Sequence, residues 1–68
     1  MPLVRVSMVE GRTAAQKKAA AQAITRTLAE HCACDPAHVY VIFDDVAATD
    51  WTVGGETVAE RRRARGEG

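Results

Sequence analysis

From Ala14 to about Cys32 the chain runs without a glycine or a proline, and a short valine-rich segment stands on either side of that run. No other feature limits the possible folds as much. The run is rich in alanine, the best helix former, and so predicts one long helix. Thr13 is a natural N-cap, and Gln16 three residues on completes a capping box. Leu3 to Val9 and His38 to Asp45 are short and valine-rich, which predicts strands. In the first, Val4, Val6 and Met8 face one side and Leu3, Arg5, Ser7 and Val9 the other. In the second, Val39, Val41 and Phe43 alternate with Tyr40 and Ile42, so both faces are apolar, as in a strand covered on both sides. Strand, helix, strand is a β-α-β unit, expected to be right-handed with its two strands parallel. Along the helix, Ala20, Ile24 and Leu28 form an apolar stripe flanked by Ala21 and Cys32, with Lys17, Lys18, Gln22, Arg26 and Glu30 opposite. Glu10-Gly11-Arg12 breaks the first strand, and Asp35-Pro36 ends the helical region. Ala47 to Asp50 reads as a loop, Trp51 to Val53 as a short strand, and Gly54-Gly55 as a tight turn. The fold class expected is α+β.

Such a unit has a shortage of cover. Sixty-eight residues make one domain near the lower end of what folds alone. The apolar fraction of 47% is mostly alanine and valine, with one Phe, one Trp and one Tyr among the large side chains. Two strands and one helix cannot bury both faces of a sheet, so a small domain of this kind needs a staple, a metal or a partner subunit. Cys32 and Cys34 are the two cysteines, and a loop closed across one residue gains little as a staple. His31 and His38 stand nearby, but no second pair supplies the spacing of a structural zinc site. No metal and no cofactor are expected, and the thiols read as reduced. Oligomerisation is left as the way to complete the core. The N-terminus has no apolar signal-peptide core and no stretch approaches a membrane span, so a cytoplasmic protein with no membrane partner is expected.

Nine Lys plus Arg balance nine Asp plus Glu, which argues against a nucleic-acid binder. The charge is uneven, however. Arg61, Arg62, Arg63 and Arg65 crowd the end of the chain, where residues 61–68 read as a flexible, solvated basic tail. A phosphate-contacting patch is the alternative, though no aromatic residue interleaves with these arginines to stack on bases.

Proline directly after Met1 adds the chemical clue. A penultimate residue that small lets the initiator methionine be trimmed, which would leave a free secondary amine at Pro2. Pro2 opening a strand, EGR ending it, a long helix, an apolar VYVIFDDV strand and then an aromatic residue followed by VGGE together resemble the 4-oxalocrotonate tautomerase group of the tautomerase superfamily. The resemblance runs in register from Pro2 to about Arg63, and the joint spacing carries it rather than any one motif. It implies a β-α-β protomer with a short C-terminal hairpin, the tautomerase fold completed by oligomerisation as a homohexamer, a trimer of dimers.

The resemblance also implies an isomerase that needs no cofactor and acts on small unsaturated carboxylic acids by enol–keto or double-bond isomerisation. Pro2 is then the general base. An ordinary α-amino group titrates at about 7.7–8.0, and an apolar pocket beside arginine charge would lower a proline amine towards neutrality, where proton abstraction is efficient. Retained Met1 would turn that amine into an amide. Arg12 matches the family arginine of the EGR element and suits a substrate carboxylate, gripped in bidentate fashion; otherwise it is a surface arginine beside a turn. Trp51 matches the aromatic that walls the pocket, or serves as hairpin core. Val9 and Val53 match further lining positions.

Tyr40 departs from the pattern, because the better-studied relatives carry a second arginine there. Tyrosine donates one hydrogen bond to an oxyanion but brings no charge. Weaker activity on a 2-hydroxymuconate-type dienol, or a different preferred substrate, is expected. A low-activity or non-catalytic subunit of a tautomerase-like oligomer is one alternative, and a promiscuous hydratase or dehalogenase is another. The haloacrylate dehalogenases of the superfamily use a carboxylate just after the aromatic; Thr52 offers none, and Asp50 precedes it.

Overall fold

A computed structural model describes residues 1–66 of the chain. Its elements follow in the order β1 (Leu3–Val9), α1 (Ala14–Cys32), a single 3-10 turn (Pro36–His38), β2 (Tyr40–Val46), β3 (Thr52–Val53), β4 (Glu56–Thr57) and α2 (Val58–Ala64). β1 and β2 form a two-stranded parallel sheet, with Leu3 opposite Tyr40 and Val9 opposite Val46. The expected β-α-β architecture is present, together with a C-terminal hairpin of β3 and β4.

Local chemistry explains the boundaries. Thr13 accepts a hydrogen bond from the Gln16 N–H at 3.1 Å, and the Gln16 side chain accepts from the Thr13 N–H at 2.9 Å, so the predicted capping box starts α1. The helix ends on Ala33 in the left-handed conformation, φ 55° and ψ 30°. Pro36 opens the 3-10 turn, capped by the Asp35 carboxylate on the Ala37 N–H at 3.0 Å. That turn holds His38, so β2 begins at Tyr40 rather than His38 and runs one residue past Asp45, to Val46. Gly54 and Gly55 both take positive φ, 61° and 86°, which a two-residue hairpin turn between right-twisted strands requires.

Two details differ from expectation. Ala21, Ile24, Thr25, Leu28 and Ala29 are the half-buried apolar or small positions of the helix, whereas Ala20 and Cys32 are exposed. Lys17 lies on this inner side rather than opposite it: its side chain is 23% exposed and its ammonium pairs with Asp45. Lys17 keeps the stripe's period at one turn before Ala21, and a lysine can bury its aliphatic stem while its head finds a carboxylate at the sheet edge. The second difference concerns the basic end. Residues 58–64 form α2, begun by a second capping box in which Thr57 accepts from the Glu60 N–H at 3.0 Å. Arg61, Arg62 and Arg63 are thus helical rather than part of a frayed tail, and Arg61 pairs with Glu56 at 2.9 Å. Residues 67 and 68 of the expected tail lie outside the described residues.

Cover is short, as the composition implied. Among the described residues no side chain is fully buried. Val4, Val6, Met8, Val41 and Phe43 are half-buried on the helix side. The other side of the sheet carries Leu3 at 54%, Tyr40 at 52% and Ile42 at 42% exposure. The radius of gyration is 15.4 Å and the chain extends 44 × 23 × 16 Å, against about 11 Å for a compact chain of this length.

Candidate active site

Pro2 stands at the head of β1, half-buried, and the Tyr40 N–H donates to its carbonyl at 3.0 Å. That bond extends the parallel ladder by one step and fixes the proline against the start of β2. Met1 projects beyond it, 80% exposed. Pro2 and Tyr40 therefore share one end of the sheet.

Arg12 occupies the opposite end. It follows Val9, in the turn where Gly11 takes φ 131°, and the Glu10 N–H ties this corner to the Val46 carbonyl at 2.8 Å. Arg12 is exposed, whereas Val9 is half-buried. Because β2 is parallel to β1, the chain leaves β2 at this same end, and the loop carrying Asp50 leads into Trp51 and the hairpin. The Trp51 carbonyl accepts from the Val58 N–H at 2.9 Å, and the Ala48 carbonyl from the Ala59 N–H at 3.1 Å, so α2 is clamped onto the loop before the hairpin. Trp51 is half-buried, while Val53, like Thr52, is exposed.

The six candidate residues thus fall into two groups. Pro2 and Tyr40 lie at one end of the sheet, and Val9 and Arg12 at the other, with Trp51 and Val53 on the segment that follows β2. The seven residues of β1 separate these ends by about 23 Å. A single chain does not bring Pro2 and Arg12 together. Two depressions on its surface are lined by Glu56, Arg61, Ala64 and Arg65 and by Lys18, Ala21, Gln22, Thr25 and Arg26, and none of the six candidates lines either.

Two polar pairs went unremarked in the sequence. Arg5 forks onto Asp44 across the strands at 2.8 and 3.3 Å, and Ser7 adds a contact at 3.4 Å. Hydrogen bonding from Arg5 holds the Asp44 carboxyl below its ordinary range, against a weaker opposing effect of desolvation, and the same contact raises Arg5. The Lys17–Asp45 pair lies on the helix side. Pairing the strands in parallel with Leu3 opposite Tyr40 would have found the first pair; the period of the helix stripe would have found the second. No group of three or more His, Cys, Asp or Glu is gathered among the described residues, and no described helix is long and apolar enough to cross a membrane.

A two-stranded parallel sheet with one long helix, a C-terminal hairpin and a strand headed by proline is the protomer of a known family. The model of that family, described as tautomerase enzyme, matches residues 2–61. The chain belongs to the tautomerase family. A probable tautomerase of Ralstonia nicotianae is 45% identical over 60 residues, covering 88% of this chain and 92% of its own. The 2-hydroxymuconate tautomerase of Comamonas testosteroni is 36% identical over 63 residues, covering 93% and 100%. Among solved structures, a 4-oxalocrotonate tautomerase isozyme from Methylibium petroleiphilum superposes with a TM-score of 0.87 at 30% identity, covering 93% of this chain and 98% of that one. A heterohexameric 4-oxalocrotonate tautomerase from Chloroflexus aurantiacus gives 0.82 at 40% identity, covering 88% and 97%.

Proposed function

We propose that this chain is a cofactor-free tautomerase of small unsaturated 2-keto or 2-hydroxy acids, acting in the cytoplasm, with Pro2 as general base once Met1 has been removed. The observation that carries the proposal is the fixed position of Pro2 at the head of β1, with Met1 exposed beyond it to an aminopeptidase. Family membership and likeness to a 2-hydroxymuconate tautomerase support the reaction class.

In this reading the proline nitrogen takes the acidic proton next to the substrate's oxygen and returns it further along the conjugated system. No bond other than C–H, O–H and the migrating double bond changes. Arg12 grips the distal carboxylate, Tyr40 donates its hydroxyl to the oxygen on which charge develops, and Trp51, Val9 and Val53 keep the base desolvated. The separation of Pro2 and Arg12 along one strand supports a site completed by neighbouring copies, in a homohexamer. A second reading, a weakly active subunit of a mixed hexamer, is favoured by Tyr40 and by the likeness to a heterohexameric relative.

The test is a ketonisation assay on 2-hydroxymuconate with trimmed wild type, Pro2→Ala and Tyr40→Arg, after intact mass has shown the state of Met1. Pro2→Ala is expected to lose at least 100-fold in kcat/KM, the usual scale of a general base. Tyr40→Arg is expected to gain, because a charge-assisted hydrogen bond replaces a neutral one. Equal rates for wild type and Pro2→Ala, or a methionine kept in the native protein, would remove the catalytic role. Activity that appears only on mixing with a paralogue would favour the second reading.

A further inference from the structure

Cys32 and Cys34 take no part in the chemistry above, yet the backbone between them has an unusual form. α1 ends at Cys32, and Ala33 then takes φ 55° and ψ 30°, the one non-glycine residue with positive φ among the described residues. The Cys34 N–H reaches back to the Leu28 carbonyl at 3.4 Å, so the reversal is held by the last turn of the helix. A residue with helical or mirror-helical dihedrals keeps its flanking Cα atoms about 5.4 Å apart. That lies inside the roughly 4.4–6.8 Å that a disulfide spans. An extended residue at position 33 would hold them at about 6.6–7.2 Å, at or beyond the limit.

The side chains add a second observation. The Cys34 Sγ is turned back towards residue 32, 3.7 Å from its carbonyl oxygen. Both thiols are free, Cys32 exposed and Cys34 half-buried. An exposed cysteine and a half-buried one thus flank the same reversal, two residues apart, the combination expected of an attacking and a resolving cysteine.

We propose that Cys32 and Cys34 form a reversible dithiol–disulfide couple, oxidised by low-molecular-weight disulfides, at the C-terminal end of α1. In the first step the Cys32 thiolate attacks a sulfur of the small disulfide, forming a mixed disulfide and expelling one small thiolate. The Cys34 thiolate then attacks the Cys32 sulfur, forming the Cys32–Cys34 bond and expelling the second small thiolate. Each protein thiol gives up one proton and each departing thiolate takes one. Two protein thiols and one small disulfide become one protein disulfide and two small thiols. So short a loop constrains the unfolded chain little, and an exposed disulfide of this kind has an oxidising potential. The couple is therefore a reversible modification site rather than a structural staple.

The experiment uses the full assembled protein, with oxidised glutathione as probe and intact mass under non-reducing conditions as readout. Wild type is expected to become lighter by two hydrogens with no glutathione attached, and excess reduced glutathione is expected to reverse the shift. Cys34→Ser is expected to trap one glutathione on Cys32, and Cys32→Ser to react more slowly, through the half-buried thiol alone. Wild type that keeps one or two glutathiones per chain, that links chain to chain, or that reacts only after denaturation would each overturn the proposal. None of these outcomes depends on tautomerase activity.

Discussion

Arg5 and Asp44 favour each other's charged forms, Arg5 lowering the Asp44 carboxyl and Asp44 raising the Arg5 guanidinium. Asp44 stands opposite Ser7, and Arg5, opposite Ile42, reaches it diagonally across the strands on the open side of the sheet. Because Arg5 holds the folded-state carboxyl below its ordinary value, the stabilisation is fully present above the unfolded pKa of about 3.9. It is lost as the pH falls through the lowered folded value. Thermal unfolding of wild type and Asp44→Asn is therefore expected to show a gap at pH 7 that closes progressively below about pH 4. Parallel curves down to pH 2 would show that the pair contributes nothing. Neither member was legible as a partner, because which residues oppose each other depends on strand register. Pro2 and Tyr40 could be named as candidates one at a time, Pro2 because it follows Met1 and Tyr40 because it departs from the pattern of the resembled family.

Among the elements, the long helix could be read from end to end. Its signals are local: a capping box at Thr13 and Gln16, then nineteen residues with no breaker. The same device was overlooked at Thr57 and Glu60, three residues apart, where a run of arginines suggested a solvated tail. The capping box there satisfies N–H groups that a seven-residue helix otherwise leaves open. Thr57→Ala is expected to cost α2 about 1 kcal/mol, seen as faster amide exchange at residues 60–64 while α1 is unchanged. Unaltered exchange in α2 would mean that its contacts to Trp51 and Ala48, not the cap, hold it. The hairpin was legible from Gly54-Gly55 because a primed turn demands positive φ at both positions.

At the scale of the whole molecule, the chain leaves much of its apolar surface uncovered. Its accessible surface is 4920 Å², where a compact monomer of this mass would expose about 4200 Å². Leu3, Tyr40 and Ile42 lie bare on one sheet face, and we infer that further copies cover it. Ile42→Asp places a charge in that face. It is expected to lower the sedimenting mass and the melting temperature together, as follows when folding and association are linked. A wild-type protein that sediments as a stable monomer would remove this account. The sequence by itself determined β1, α1, β2 and the glycine turn, their order and the parallel pairing, though not α2, because helix propensity, caps and turn glycines act over a few residues. Only the tertiary structure decided that Lys17 turns inward, that Arg5 meets Asp44, and that Pro2 and Arg12 stand at opposite ends of one strand. Those outcomes depend on register and on the path of the chain in space, which no short stretch of residues contains.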